Sequence, residues 1–196
     1  MSTEEEAVRR RMTLADYRKK LYLATRRKLG FVLEQRQRIT YGFTEEATAL
    51  LKWKATFQNQ NNTLLASWKL SPVGSKNSSS VGAKGSDACR GWYGVTCLNG
   101  RVNRLNITNA SVVGTLYEFP FSSLPFLEYV DLSVNQLSGT IPPEIGKLTN
   151  LVYLDLSINQ ISGTIPPQIG SLRKLKTLHI VDNQLNGSIP AEIGNL

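Results

Sequence analysis

Cysteine and histidine are scarce in this chain of 196 residues, which has two of the first and one of the second. Both cysteines lie in CRGWYGVTC, residues 89–97. So spaced, Cys89 and Cys97 can close a disulfide, supply half of a metal site or act as a redox pair. His179 stands alone and far from them in sequence. Two aspartates, Asp131 and Asp155, occupy equivalent places in YVDLS and YLDLS. A carboxylate pair suggests acid–base work, but the neighbouring Ser133, Ser157, Tyr129 and Tyr153 form no nucleophile–base set. Both aspartates therefore read as solvated residues of a binding face, and His179, in the same column, as a contact residue. No G-x-S-x-G, H-E-x-x-H or metal-spaced cluster occurs, and IGKLT lacks the upstream glycine of a phosphate loop. Protein-kinase signatures are missing as well. Neither a catalytic residue, a metal nor a cofactor is expected.

Charge separates the chain into two parts. Residues 1–43 carry 11 Lys/Arg against 5 Asp/Glu, and residues 44–196 carry 12 against 10. The excess of +8 therefore belongs mostly to the N-terminal segment. No apolar run approaches the ~18 residues needed to span a bilayer. In LYLATRRKLGFVL three consecutive basic residues interrupt what a secretory signal needs as an apolar stretch. As written, the chain is expected to remain unsecreted and unglycosylated, with reduced cysteines.

The frame that positions these residues is a repeat of period 24. LPFLEYVDLSVNQLSGTIPPEIGK (124–147), LTNLVYLDLSINQISGTIPPQIGS (148–171) and LRKLKTLHIVDNQLNGSIPAEIGN (172–195) align residue for residue. An earlier copy, RVNRLNITNASVVGTL, has 25 residues to the next and holds Ala110 where the others hold Asn135, Asn159 and Asn183. Alternation in YVDLS predicts a short strand with Val130 and Leu132 inward. The asparagine that follows turns the chain, and its amide can bond backbone groups of the next turn. Gly139, Gly163 and Gly187 allow close backbone approach at the next bend. Ile-Pro then permits only a brief extended segment. PEIG makes one helical turn, ended by Gly146, Gly170 or Gly194. One row cannot bury its apolar face alone, so rows must stack into a solenoid. Three outward columns follow: Arg104, Tyr129, Tyr153 and Thr177; Asn106, Asp131, Asp155 and His179; Thr108, Ser133, Ser157 and Val181. These are the expected ligand-binding residues.

A solenoid needs a cap over its first repeat, and residues 44–100 read as one. TEEATALLKWKATF predicts an amphipathic helix with Ala47, Leu50, Leu51 and Phe57 on one side. Thr44 suits its N-cap, and Glu45 and Glu46 suit the positive end of its dipole. EEATALLKWKATF, LLASW and CRGWYGVTCLNGRVNRLNI together resemble the N-terminal cap of plant leucine-rich-repeat receptor-like kinases, and SGTIPPEIG resembles that family's repeat. The resemblance covers residues 44–196. It implies an α/β solenoid, a leucine-rich repeat with a helical, disulfide-bearing cap, and a disulfide between Cys89 and Cys97 beside Trp92. Closing that loop adds about 2.6 kcal/mol on the chain-entropy model. In a reducing compartment the alternative is two thiols packed as small apolar groups. The family further implies recognition of an extracellular peptide or protein together with a co-receptor at the plasma membrane, without enzymatic activity in this part. Its members continue through more repeats to a membrane span and a kinase, so a truncated or partial form is expected here.

Two other readings remain open. A secreted inhibitor resembling polygalacturonase-inhibiting proteins shares this cap and repeat. An intracellular protein would instead use the basic segment 1–43 to bind nucleic acid. Within it, DYRKKLYLATRRKLGFVL resembles in part the gag region of plant copia-type retrotransposons. Five N-x-S/T sequons, at Asn61, Asn77, Asn106, Asn109 and Asn186, fit an ancestrally secreted module. Four strands make a ladder only ~15 Å wide. Its outward patch is small beside the ~800 Å² per side of a stable interface, so weak ligand binding is expected. An uncapped apolar end at Ile189, Ile193 and Leu196 is expected to favour self-association.

Overall fold

The computed structural model describes residues 23–24, 45–70 and 87–196. Residues 45–54 form helix α1, which buries Ala47, Leu50 and Trp53. Among the described residues nine strands follow: β1 (Val95–Leu98), β2 (Arg101–Asn106), β3 (Val113–Thr115), β4 (Tyr129–Asp131), β5 (Gln136–Gly139), β6 (Tyr153–Asp155), β7 (Gln160–Gly163), β8 (Thr177–His179) and β9 (Gln184–Leu185). Short 3-10 turns cover Leu64–Ser67, Asp87–Cys89, Pro143–Lys147, Pro167–Ser171 and Ala191–Asn195. The tail beyond residues 23–24, Thr44 and Asn77 lie outside the described residues.

The strands form two sheets, ordered β1-β2-β4-β6-β8 and β3-β5-β7-β9. In the first, β2, β4, β6 and β8 are parallel, with Arg104 beside Tyr129, Tyr129 beside Tyr153 and Tyr153 beside Thr177. Period 24 thus becomes a one-strand step, the solenoid expected of the repeat. This sheet has five strands rather than four, because β1 joins it antiparallel through a turn in which Asn99 and Gly100 both take positive φ. An Asn-Gly pair suits that geometry, since both central residues of such a turn are left-handed. The second sheet was not expected. Its strands β5 and β7 run through the Q-x-S-G stretch, where Leu137 and Ile161 turn into the core and the alternating polar residues face out.

The core lies between the sheets and the 3-10 turns. Val130, Leu132, Leu154 and Leu156 point in from the first sheet, and Ile145, Leu148, Ile169 and Leu172 close the opposite side. Gly146, Gly170 and Gly194 do not end the helical turns as expected; each lies inside one and none has a positive φ. Stacking explains the first two. A Cβ on Gly146 would sit 2.9 Å from the Gln168 carbonyl oxygen, and one on Gly170 2.3 Å from that of Glu192. Gly139, Gly163 and Gly187 do bend the chain, and their φ near +75 to +78 is the reason.

Just before the ladder asparagines the backbone is left-handed in all three rows, at Val134 (φ 57), Ile158 (φ 53) and Asp182 (φ 53). Branched side chains are strained there, and Val134 and Ile158 are also exposed. Replacing Val134 with Asn should raise unfolding free energy by ~1 kcal/mol, because Asn tolerates this region. Urea denaturation will show an unchanged or lower midpoint if the strain is absent.

Candidate recognition face

The cap is sealed by indoles. Trp53 donates from Nε1 to the Thr115 carbonyl at 2.9 Å, Trp68 to that of Tyr93 at 2.9 Å, and Trp92 to that of Lys69 at 3.1 Å. Trp68 and Trp92 stack with centroids 5.4 Å apart. Cys89 and Cys97 form the disulfide, with Cα atoms 5.6 Å apart, and so tie the turn before β1 to its far end.

Glu46 has a different role from the dipole partner expected of it. It is fully buried, accepts the Val102 amide at 3.0 Å and pairs with Arg101 Nε at 2.7 Å. Burial raises its pKa, and the bonds from Val102 and Arg101 oppose the rise. The contact pins α1 to β2, and Arg101 in turn lies 4.5 Å over the Phe126 ring.

The asparagine ladder carries the turn beside the first sheet. Asn135 donates to the carbonyls of Ile107, Leu132 and Ser133 and accepts the Val112 amide at 2.9 Å. Asn159 and Asn183 repeat the pattern one row further on. Where the first row has Ala110 instead, the cap supplies the amides. Asn62 Nδ2 donates to the Ala110 carbonyl, Asn59 Nδ2 donates to Ser111, and Asn59 Oδ1 accepts the Val113 amide.

On the outer face of the first sheet the expected residues come together as a stack. The Arg104 guanidinium lies 3.5 Å over the Tyr129 ring. Tyr129 and Tyr153 are parallel with centroids 4.3 Å apart, and His179 meets Tyr153 edge-on at 5.8 Å. Each tyrosine hydroxyl donates to the aspartate two residues on, Tyr129 to Asp131 at 3.4 Å and Tyr153 to Asp155 at 3.1 Å. Ser133 and Ser157 donate to the other carboxylate oxygens at 2.6 and 2.5 Å. His179 Nδ1 lies 3.1 Å from Asp155 Oδ2, and Thr108 bonds Ser133 at 2.8 Å. Asn106 Oδ1 accepts the Thr108 amide. Thr177 is half-buried at the outer end of its column, and Val181 is exposed.

One expectation fails here. Asp131 and Asp155 are not solvated; each is 8% exposed, covered by its own tyrosine and serine. Burial alone raises the Asp155 carboxyl, but the Ser157 hydroxyl and amide, His179 and Tyr153 outweigh it and hold the group below its ordinary value. Burial and the Asp155 carboxylate push the Tyr153 hydroxyl well above the usual tyrosine range. A carboxyl depressed in the folded state stabilises the fold above its unfolded pKa, near 3.8, and loses that contribution as pH falls through the lower folded value. Acidification below about pH 4 should therefore destabilise the wild type more steeply than Asp155→Asn. Parallel thermal melts across that range test the sign, and equal slopes refute it.

Among the described residues no three His, Cys, Asp or Glu side chains gather as a metal site, and no helix is long and apolar enough to cross a membrane. Of the sequons, Asn61, Asn109 and Asn186 are exposed, whereas Asn106 is half-buried on the stacked face.

The family pattern described as Leucine rich repeat N-terminal domain matches residues 44–98, and that described as Leucine Rich Repeat matches 126–148, 150–172 and 174–196. The chain belongs to the leucine-rich-repeat proteins. Among curated relatives, this leucine-rich-repeat chain is 54% identical over 107 residues to MDIS1-interacting receptor like kinase 2 of Arabidopsis thaliana, a match covering 55% of the chain and 9% of that protein. It therefore spans about a tenth of the length of that relative. Solved Arabidopsis structures share the fold. One chain of the BIR3–SERK2 complex aligns with a TM-score of 0.51 at 27% identity, over 76% of this chain and 87% of that one. The receptor kinase HAESA, solved with the peptide hormone IDA and the co-receptor SERK1, aligns with a TM-score of 0.51 at 29% identity, over 78% of this chain and 28% of that one. The chain is thus of the plant receptor-kinase ectodomain type, a fold generally without enzymatic activity.

Proposed function

We propose that the face built by β2, β4, β6 and β8 is a non-enzymatic recognition surface for an extracellular peptide or protein, acting at the cell surface with a co-receptor. Residues 44–100 would serve as cap and 101–196 as the repeat array that presents it. The observation that carries this reading is the solvent-open stack of Arg104, Tyr129, Tyr153 and His179 on a parallel sheet. Aromatic and arginine side chains dominate binding hot spots, and here they are already ordered before a ligand arrives. The HAESA structure, with its hormone and co-receptor, supports the same use of a related scaffold. Curated receptor kinases among the relatives support a cell-surface setting, in which the Cys89–Cys97 disulfide is chemically at home.

The test is surface plasmon resonance of the full chain against a panel of secreted plant peptides and SERK1-type ectodomains. For any partner found, Tyr153→Arg should weaken binding at least about tenfold, the loss typical of a hot-spot side chain. A partner held equally by wild type and variant would overturn the assignment to this face.

A further inference from the structure

The hydrogen atoms of the stacked face are already committed, which restricts what a ligand can offer it. A tyrosine or serine hydroxyl has one hydrogen to donate, and a carboxylate has none. Tyr129 and Tyr153 spend theirs on Asp131 and Asp155, and so do Ser133 and Ser157. Because the Ser133 hydrogen goes to Asp131, the 2.8 Å contact with Thr108 must use the Thr108 hydrogen. The carboxylate also requires the hydrogen of His179 on Nδ1, so a neutral imidazole leaves Nε2 as an acceptor. Across β4 and β6 the side chains therefore keep lone pairs and no free hydrogens. Ring faces are used up too, since Tyr129 lies between Arg104 and Tyr153. Donors remain at the two ends, on Arg104 and the Asn106 amide beside β4 and on the Thr177 hydroxyl beside β6.

Resting on the recognition surface proposed above, we infer that β4 and β6 take a donor-bearing segment of the ligand, a lysine, an arginine or a free amino group, and reject a carboxylate. Asp131 Oδ2 is the less engaged oxygen, with a 3.4 Å contact against two contacts of 3.1 Å on Asp155 Oδ2, and the Arg104 guanidinium already covers one face of Tyr129, so the cation should centre between Asp131 and Asp155, away from Arg104. Overall charge argues the opposite way. The chain carries +8, so a non-specific contact would favour an anionic peptide.

Two probes separate these cases: acetyl-Gly-Ser-Lys-Ser-Gly-amide and its counterpart with Glu for Lys, titrated into the full chain with carbon-13-labelled tyrosine rings. The lysine peptide should move the Tyr129 and Tyr153 signals saturably and bind about tenfold tighter than the glutamate peptide, as a charge-assisted bond would give. Asp131→Asn keeps an oxygen for Ser133 but adds two hydrogens beside Tyr129, and should cut the preference to about twofold. Tyr129→Phe assigns the ring signals and removes one acceptor; thermal melts confirm that both variants fold. Equal or stronger shifts with the glutamate peptide overturn the polarity inference and leave the recognition surface standing. If neither peptide moves either ring, both the surface and its polarity fail.

Discussion

Replacing Asn135 with Ala should cost about 3–5 kcal/mol of unfolding free energy, a large part of the ~5–15 kcal/mol of an ordinary domain. The side chain is 9% exposed and bonds four backbone groups in two adjacent rows. Alanine leaves the Val112 amide and the Ile107 carbonyl in the interior without it, at ~1–3 kcal/mol for each unsatisfied group. Water reaches the last row more easily, because Asn183 follows exposed Val181 and Asp182. Asn183→Ala should therefore cost less than half as much. Urea melts of both variants decide the point, and a loss below ~1 kcal/mol at Asn135 would show that the ladder is dispensable.

Gly94→Ala should disable the cap. Gly94 has φ +71, and a Cβ there would lie 1.9 Å from the Asn106 carbonyl oxygen and 2.8 Å from its carbon. Both are backbone atoms of β2, and the Gly94 carbonyl also accepts the Asn106 amide at 2.7 Å. Nothing flexible can give way, so relief requires β1 and β2 to separate, at a cost of more than about 4 kcal/mol. Gly91 supplies the control. Its φ is +88, yet a Cβ there meets nothing within 4 Å. Gly91→Ala should cost only ~1 kcal/mol, the left-handed backbone term alone. Tryptophan emission reports the outcome, because Trp68 and Trp92 stack around this segment. Native-like emission and stability in Gly94→Ala would contradict the steric argument.

Sequence by itself determined the repeat, the four parallel strands of the first sheet and the partition of those strands into inward and outward positions, but not the second sheet. A 24-residue period forces equivalent side chains into columns, so Tyr129, Tyr153, Asp131 and Asp155 are legible as neighbours from the sequence alone. The ladder asparagines were legible for the same reason. Local signals also marked α1, through its apolar spacing. Glu46 was not legible: its type and place suit a helix start, and only the arrival of β2, 55 residues later, turns it into a buried partner of Arg101. Asn59 and Asn62 likewise look like loop residues until the first row presents its bare carbonyls to them. Gly146 and Gly170 read as helix stops because stacking distance leaves no trace in a single row. Tertiary structure alone decided how wet the aspartates are. Exposure depends on whether Tyr and Ser fold over the carboxylate, and that rests on χ angles set by the adjacent strands. Period and pattern settle which residues meet; the distances between rows settle which of their atoms are left free.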